Sequence, residues 1–500
     1  MPDLLTSVFA PLLVALLGSF AIEAAASPVA VGRRPRDLAV RLAAYALVMA
    51  FWFTFSWRPW LAATSCLLTV AGFEAVSALK RKVIGEPLAF SDFALLKQVP
   101  RYPELYYVPP VSDPRVALPA LGGIGLVILW YVLEPAQLPR ATGAALAALL
   151  LWPLALAGLL ALARSPWGRS RLARLFPRPA LAADVARYGH PATLLGYALR
   201  RDAERAAGPA PRMPPAAPAA GPEVIVVVQL ESFLDPERLG GPALPLMRRI
   251  REQAESYGRL RVPAHGAYTM RTEHAVLTGL RPEELGFGVF DPYLSGGGSE
   301  PESLARLARA AGYETVFVHP FDADFFERRR IFAQLGFDRI VDRDAFAQAD
   351  RVGPYIGDAA VAARLLAEVR GRTRPLFLFC VTMENHGPWP PGRLPGFADP
   401  LAQWLHHAAN SGRAAETLID GLAGVPALLC LYGDHAPSLP NCRPGFGDTC
   451  TDYALFRFDG GGGSPTRRDL TADGLGRLLR GHVTGAGAGK RDESLALSRS

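Results

Sequence analysis

Five long, nearly uncharged apolar runs precede Pro166 in this chain, and no run of that length recurs after it. They cover roughly residues 4–26, 38–56, 60–79, 115–133 and 142–163. Each reaches or approaches the ~20 residues that a helix rising about 1.5 Å per residue needs to cross a bilayer core. Helices apolar all round are hard to bury five at a time in a soluble domain, which asks for a single apolar stripe per helix. The first run has no basic segment ahead of it, is long, and is followed by further spans, so it reads as a span and not as a cleaved leader. Glu23 and Arg41, charges inside or near spans, are candidates for a role of their own. The 500 residues therefore divide into a membrane anchor, 1–165, and a second half that folds in water.

The excess charge has an address. Ten arginines against three acidic residues between Arg164 and Arg212 leave +7, the net charge of the whole chain. Directly after a span, such a segment fits adhesion to anionic headgroups, worth ~1 kcal/mol per basic residue near the surface. No aromatics interleave with these arginines as a nucleic-acid platform would require, so no nucleic-acid partner is expected. A Pro/Ala stretch at 208–222 reads as a semi-rigid spacer, making 166–222 a basic juxtamembrane segment and linker. The basic loops at 32–36 and 80–82 favour the cytoplasmic side, which with five spans would leave the second half inside as well.

Beyond the spacer, continuous β-branched or apolar runs at 223–232, 313–320, 375–389 and 426–437 read as buried central strands. Helical patterns at 299–312, opened by a capping box of Ser299 and Glu302, and at 357–371 lie between them. The expected fold class is α/β: about five transmembrane helices, then a domain with a mostly parallel sheet covered by helices over 223–460. A C-terminal helix and a tail, disordered after about residue 483, are expected over 461–500.

Each strand ends on a residue able to hold a metal or a phosphate: Glu231, His319, Asn385 with His386, and Asp434 with His435. In open α/β sheets ligands bind beyond the carboxyl ends of the strands, so the four endings converge on one crevice. Singly, His319 before Pro320 also fits a turn, and His386 a loop cap. Asp434 and His435, adjacent at a buried strand end, need a partner, and a divalent cation is the economical one. Glu231 is the natural further ligand, and mixed oxygen and imidazole ligation suits Zn, Mn or Mg. Thr269, after a glycine-containing turn and before a helical pattern, puts a hydroxyl where a helix N-terminus favours an anion, though alone it also fits a helix cap.

The stretches QLESF (229–233), YTMRTEHAVLTG (268–279), FFERRRIFAQLGFD (325–338), MENHGPW (383–389) and YGDHAPSLP (432–440) together resemble the lipoteichoic acid synthase and phosphoglycerol transferase family of the alkaline phosphatase/sulfatase superfamily. The resemblance covers about 220–460, and the five-span anchor is similar too. It implies a sulfatase-like catalytic domain, Thr269 as nucleophile, and a Mn or Mg ion held by Glu231, Thr269, Asp434 and His435. It also implies that Arg328 and His386 hold the phosphoglycerol group, with His319 lining the same pocket. The reaction implied moves glycerophosphate from phosphatidylglycerol, through a phospho-threonine, to an envelope glycan or polyglycerolphosphate acceptor. A phosphodiesterase or hydrolase of the same superfamily, or a phosphoethanolamine transferase, is the alternative.

Envelope acceptors lie outside the cytoplasm, so the catalytic half is expected on the outer face of the cytoplasmic membrane, against the loop charges. The amphipathic segment 85–98 is expected along the membrane near the lipid. His274 stands where the family usually has an aromatic residue. The formylglycine signature of sulfate-ester hydrolases is missing, since Cys442 opens CRPGF with phenylalanine in place of the arginine. Cys66 falls in a span, Cys380 and Cys430 read as buried thiols, and Cys442 and Cys450, in one loop, are candidates for a disulfide if the domain is external.

Overall fold

All five apolar runs are helical. Helices α1 (Pro2–Ala26), α2 (Pro35–Ser56) and α3 (Pro59–Ile84) are followed by a short α4 (Asp92–Leu95), then α5 (Pro114–Leu133) and α6 (Thr142–Arg164). Proline opens α2, α3 and α5, where its missing N–H leaves nothing unpaired. In this computed structural model the described residues are 2–27, 32, 34–107, 112–207, 221–293, 302–439, 442, 448–460 and 464–485. They form two compact units, one of Met1–Lys82, Glu86–Leu96 and Val108–Pro209, the other of Val83–Gly85, Lys97–Tyr107 and Ala210–Ser500.

In the first unit, Ala15, Tyr45, Met49, Phe53, Ala62, Cys66 and Val70 pack α1, α2 and α3 together. Helices α5 and α6 bury none of their residues, so their leucines present the apolar surface that lipid tails favour. The arginine-rich segment folds as α7 (Pro166–Leu175), α8 (Leu181–Tyr188) and α9 (His190–Ala207), with the Phe176 ring edge-on to Tyr188 and Tyr197. The charges noted inside the spans pair with each other: Arg41 donates to Glu23, and Tyr45 donates to the same carboxylate. The other Glu23 oxygen accepts from the His190 backbone N–H at 2.8 Å, and His190 Nδ1 lies 2.7 Å from Glu74. Gly189 (φ 82°) makes this approach possible, since a Cβ there would sit 2.4 Å from the Glu23 carboxylate.

The second unit is built on a nine-stranded sheet. Its strands are β1 (Val224–Leu230), β2 (Ser256–Arg261), β3 (Glu314–Val318), β4 (Arg339–Val341), β7 (Leu376–Val381), β8 (Ala427–Gly433), β9 (Thr451–Arg457), β10 (Thr466–Arg467) and β11 (Leu470–Thr471); β5 (Arg351–Val352) and β6 (Tyr355–Ile356) form a separate ribbon. The order is β10-β2-β9-β8-β1-β7-β3-β4, with β8, β1, β7, β3 and β4 mutually parallel and β9 antiparallel to both neighbours. The covering helices are α10 (Pro245–Gln253), α11 (Thr269–Thr278), α12 (Pro282–Leu285), α13 (Leu304–Ala310), α14 (Arg328–Leu335), α15 (Asp358–Gly371), α16 (Pro400–Leu422) and α17 (Ala472–Val483).

Alternation along the buried strands feeds two cores. Val224, Val226, Val228 and Leu230 of β1 face α10, α15 and α16, while Ile225 and Val227 face α11, α13, α14 and α17. On the second face Phe317 stacks on Phe332 with centroids 3.7 Å apart, beside Phe337, Phe377 and Phe379. At about 25 cal/mol per Å² of apolar surface removed from water, this aromatic cluster is a large contributor to the fold.

The mostly parallel sheet covered by helices agrees with the sequence reading, and several boundaries differ. The run at 375–389 is strand only to Val381, because a polar loop begins where the sheet ends. Helix α13 starts at Leu304, with Ser303 accepting from the Arg306 N–H; Ser299 lies outside the described residues, as do 208–220 of the spacer and 486–500 of the tail. Strands β10 and β11 pair with β2, and Leu475 and Leu479 of α17 join the core beside α11, so the sheet-based unit continues through Val483 and does not stop near 460. Cys442 and Cys450 are free thiols, the first buried, so the candidate disulfide is not formed.

Candidate active site

Because β1, β3, β7 and β8 run parallel in adjacent positions, the polar residues that end them meet at one edge of the sheet. Asp434 is fixed there by backbone: its Oδ1 accepts from the Ser232 N–H at 2.7 Å and the His435 N–H at 2.8 Å. Its Oδ2 is buried and accepts no hydrogen bond. His435 Nε2 lies 3.2 Å from that oxygen, 3.5 Å from Glu231 Oε1 and 3.4 Å from Thr269 Oγ1. The other ring nitrogen, Nδ1, faces the Ala436 carbonyl at 3.2 Å. A carbonyl only accepts, so Nδ1 carries the proton and Nε2 turns its lone pair toward the carboxylates.

Thr269 reaches this group because of what surrounds it. It is the first residue of α11, after Tyr268 in a left-handed conformation (φ 62°). Gly266 (φ 66°) donates its N–H to the Ala436 carbonyl, and a Cβ at this position would sit 2.7 Å from Ser438. Thr272 Oγ1 donates to the Asp434 carbonyl at 2.6 Å, bolting the first turn of α11 to the end of β8. Glu231 is held from both sides: its N–H donates to Thr382 Oγ1 at 3.0 Å, and its carboxylate accepts from Ser232 Oγ at 2.9 Å. Burial, and then the charge of Asp434, push the Glu231 carboxyl well above its usual range. A desolvated pair of carboxylates facing an imidazole lone pair, one oxygen of them orphaned, is the donor set a divalent cation satisfies. Glu231, Asp434 and His435, with Thr269 beside them, therefore fit the expected metal.

The residues expected to face a phosphate form a second group. Arg328, 2% exposed, donates to Glu273 from Nε at 3.2 Å and from Nη2 at 3.0 Å, and its Nη1 lies 3.2 Å from His319 Nε2. Tyr293 donates its hydroxyl to the same Glu273 carboxylate. His319 Nδ1 faces the Val381 carbonyl at 3.0 Å, so Nδ1 is protonated and Nε2 accepts from Arg328. Burial and then the Arg328 charge hold His319 well below the ordinary imidazole range. His386 sits next to the Tyr355 ring, with centroids 5.9 Å apart, and its Nδ1 faces the Gly387 carbonyl at 2.5 Å. Desolvation pushes its imidazole down to about 3, with the charges of His435, Arg393 and Arg328 acting the same way, so it is neutral at ordinary pH.

Several residues here were not singled out from the sequence. Glu273 lies one helical turn on from Thr269, a spacing that could have marked it. His274, noted in the sequence for standing where an aromatic residue is usual, packs edge-on to Tyr293, 6.1 Å between centroids. Arg393 lies 5.0 Å over the Tyr355 ring, and its Nε and Nη2 have no hydrogen-bond partner. Tyr107 closes on the loop at Gly387, where a Cβ would meet its hydroxyl. Beneath the strand ends, Asp358 accepts from Ser411 Oγ at 2.6 Å while its N–H donates to Glu384; burial and the Glu384 charge push its carboxyl up to about 8.

Comparison with known proteins agrees with this geometry. Residues 223–468 match the Sulfatase family. The chain is 33% identical over 445 residues to the capsular polysaccharide biosynthesis protein RkpI of Rhizobium meliloti (strain 1021), covering 84% of this chain and 81% of that one. Among solved structures it is similar to the integral membrane lipooligosaccharide phosphoethanolamine transferase A (EptA) of Neisseria meningitidis, at 11% identity, 95% coverage of each chain and a TM-score of 0.55. The Streptococcus pyogenes phosphoglycerol transferase GacH, in complex with sn-glycerol-1-phosphate, matches at 18% identity over 58% of this chain and 80% of its own, with a TM-score of 0.44. Family match, a relative matched over 84% of the chain, and the meeting of Thr269 with Glu231, Asp434 and His435 lead to one conclusion: the chain belongs to the sulfatase family, as a relative of RkpI with an apolar five-helix anchor.

Proposed function

We propose that this protein is a membrane-anchored, metal-dependent phosphotransferase that moves glycerophosphate from phosphatidylglycerol, through a phospho-Thr269 intermediate, to a cell-envelope glycan. The observation that carries the reading is Thr269 Oγ1 at 3.4 Å from His435 Nε2, at a helix start beside an orphaned carboxylate oxygen. The name of RkpI, a capsular polysaccharide biosynthesis protein, supports a glycan acceptor. An acceptor of that kind places the catalytic domain outside the cytoplasm, on the outer face of the cytoplasmic membrane.

Glu231, Thr269, Asp434 and His435 would hold Mn or Mg; such an ion, when bound, lowers the pKa of a ligated hydroxyl and offsets charge on phosphoryl oxygens. Thr269 Oγ attacks the phosphorus and the bond to the diacylglycerol oxygen breaks, leaving glycerophosphate on the threonine. Arg328 has five N–H groups, of which Glu273 and His319 occupy three; one on Nη1 and one on Nη2 remain for the phosphate oxygens. His386, neutral and with Nδ1 engaged, offers the lone pair of Nε2 as the proton carrier: it takes the proton of the Thr269 hydroxyl and gives it to the departing diacylglycerol oxygen, then takes one from the attacking acceptor hydroxyl and returns it to Thr269 Oγ as the threonine leaves.

The test is the full-length protein in vesicles of phosphatidylglycerol labelled in its terminal glycerol, with Mn, beside Thr269→Ala and beside vesicles of phosphatidylethanolamine. Diacylglycerol release and label on the parent but not on Thr269→Ala is the expected result. Equal activity of Thr269→Ala removes the nucleophile, and turnover of phosphatidylethanolamine alone replaces the donor.

A further inference from the structure

Beside the phosphate pocket lies a second concavity, of about 340 Å³, wholly within the catalytic unit. Arg101, Arg343 and Arg351 line it against one carboxylate, Glu104, and Tyr102, Phe321 and Tyr355 supply aromatic walls. Two of those walls are shared with the site already described. The Tyr355 ring is 5.9 Å from the His386 ring, and the Phe321 ring is 6.2 Å from the His319 ring. The segment 97–107 completes the cavity and is tied down: Tyr102 donates its hydroxyl to Asp322 at 2.7 Å, Arg101 pairs with the same carboxylate at 3.1 Å, and the Tyr102 ring packs on Phe321 and Phe325.

A cavity one aromatic ring away from His319 and His386, walled by flat rings and lined by three guanidinium groups, of which Arg101 is paired with Asp322 and Arg343 lies 3.8 Å from Asp344, suits a sugar bearing negative charge. Rings stack on the apolar face of a sugar, and arginine forks match a carboxylate or phosphate. The phosphate pocket itself uses none of these arginines, since Arg328 is committed to Glu273 and His319.

We infer that this cavity is the acceptor subsite, and that it selects an acceptor carrying an anionic group next to the sugar that receives the glycerophosphate. The inference rests on the transferase reading and deepens it. The anion has two chemical sources, the carboxylate of an acidic sugar or the phosphodiester of a glycerophosphate already transferred.

The experiment compares the full-length parent with an Arg343→Gln/Arg351→Gln double variant, two positions at the surface, in phosphatidylglycerol vesicles with Mn. The acceptors are trigalacturonate, glycerophosphoglycerol and maltotriose. The expected result is an increase of about tenfold or more in KM for one or both anionic acceptors, with kcat, diacylglycerol release to water and use of maltotriose unchanged. Which anion loses affinity identifies the source. An equal KM for both proteins with every acceptor overturns the subsite, as does an equal loss with maltotriose. Equilibrium binding of the two anionic probes to Thr269→Ala, with and without the double substitution, reads the cavity without turnover. A parent that binds the probes but releases no diacylglycerol overturns the transferase reading and leaves the subsite standing. Equal binding with and without the double substitution overturns the subsite alone.

Discussion

Two buried groups of identical composition, two carboxylates and an imidazole, stand in the two halves of this chain: Glu23, Glu74 and His190 in the anchor, Glu231, Asp434 and His435 at the sheet edge. Their surroundings differ. In the anchor Arg41 pairs with Glu23, Arg81 lies 3.6 Å from Glu74, and both nitrogens of His190 are engaged, by Glu74 and by Ser77 Oγ. At the sheet edge the nearby arginine, Arg328, is committed to Glu273; Asp434 Oδ2 and Glu74 Oε2 alike accept no hydrogen bond, but Glu74 Oε2 faces the Arg81 guanidinium while Asp434 Oδ2 faces the His435 imidazole at 3.2 Å. Composition alone does not make a metal site. A set whose charge the protein has already neutralised is a latch between helices, and one left with uncompensated negative charge waits for a cation.

The largest expected effect breaks the comparison if it fails. Asp434→Asn removes the orphaned oxygen, and turnover should fall by about 10³-fold or more, with chelation doing the same to the parent. Mn at ~100 times its dissociation constant should stabilise the parent by about 2.7 kcal/mol in thermal unfolding and leave Asp434→Asn unmoved. A shift of equal size in both proteins would assign the metal to another place, the anchor group included.

The opposite behaviour is expected in the anchor. Arg41→Met leaves Glu23 buried without its cation, which should cost about 3–5 kcal/mol of stability in detergent, read as a lower unfolding midpoint. Turnover per folded molecule should stay within about twofold, because a latch holds helices and does not touch the reaction. Arg41→Met that melts with the parent and loses turnover would make the anchor group functional after all. Between these extremes stands Arg328, a cation spent on a carboxylate yet facing the site. Arg328→Lys keeps the charge but offers one ammonium to Glu273, His319 and the phosphate together. A drop of about 10²-fold in kcat/KM is expected; unchanged kinetics would reduce Arg328 to a structural partner of Glu273.

Which parts of this were legible from the residues follows from the same contrast. Buried strands that end on Glu231 or on Asp434 with His435 announce an unmet need, because nothing else explains polar pairs where a sheet stops. Glu23 announced itself equally in the anchor, while Glu74 did not, and their partner could not be read: His190 lies 167 residues from Glu23 and 116 from Glu74 in the chain. Thr269 stands out as a candidate nucleophile only in combination with the strand ends, since the turn at Gly266, whose N–H docks on the Ala436 carbonyl, has no pattern of its own. Glu273 hid as one more acidic residue on a helix, although its place one turn from Thr269 was visible. Arg393, Tyr355 and Tyr107 come from loops far apart in sequence, and only the folded chain brings them to His386. Strand β2, between β9 and the short β10 and β11, is too polar to stand out, since it buries only Gly258 and Leu260.

A third buried imidazole sharpens the comparison by lacking a carboxylate pair altogether. His482, on α17, is pushed down to about 4 by burial, with Arg457 acting the same way and Asp459 weakly opposing. Its folded value lies below the ordinary 6.5, so between pH 4 and 6.5 the unfolded chain binds the extra proton. Stability from this residue is therefore complete above pH 6.5 and is lost as pH falls toward 4, by about 2–3 kcal/mol. Chemical denaturation of the parent and of His482→Leu at pH 5 and pH 7 should show the variant losing about 2 kcal/mol less on acidification, with the pH 7 values nearly equal. An identical pH slope in the variant would move the acid sensitivity elsewhere, and His265, likewise held near 4 by burial and the neighbouring His435, is the next imidazole to substitute. The two triad imidazoles have a carboxylate oxygen at 2.7 Å or 3.2 Å, whereas at His482 burial and the Arg457 charge outweigh Asp459, so the fold favours its neutral form.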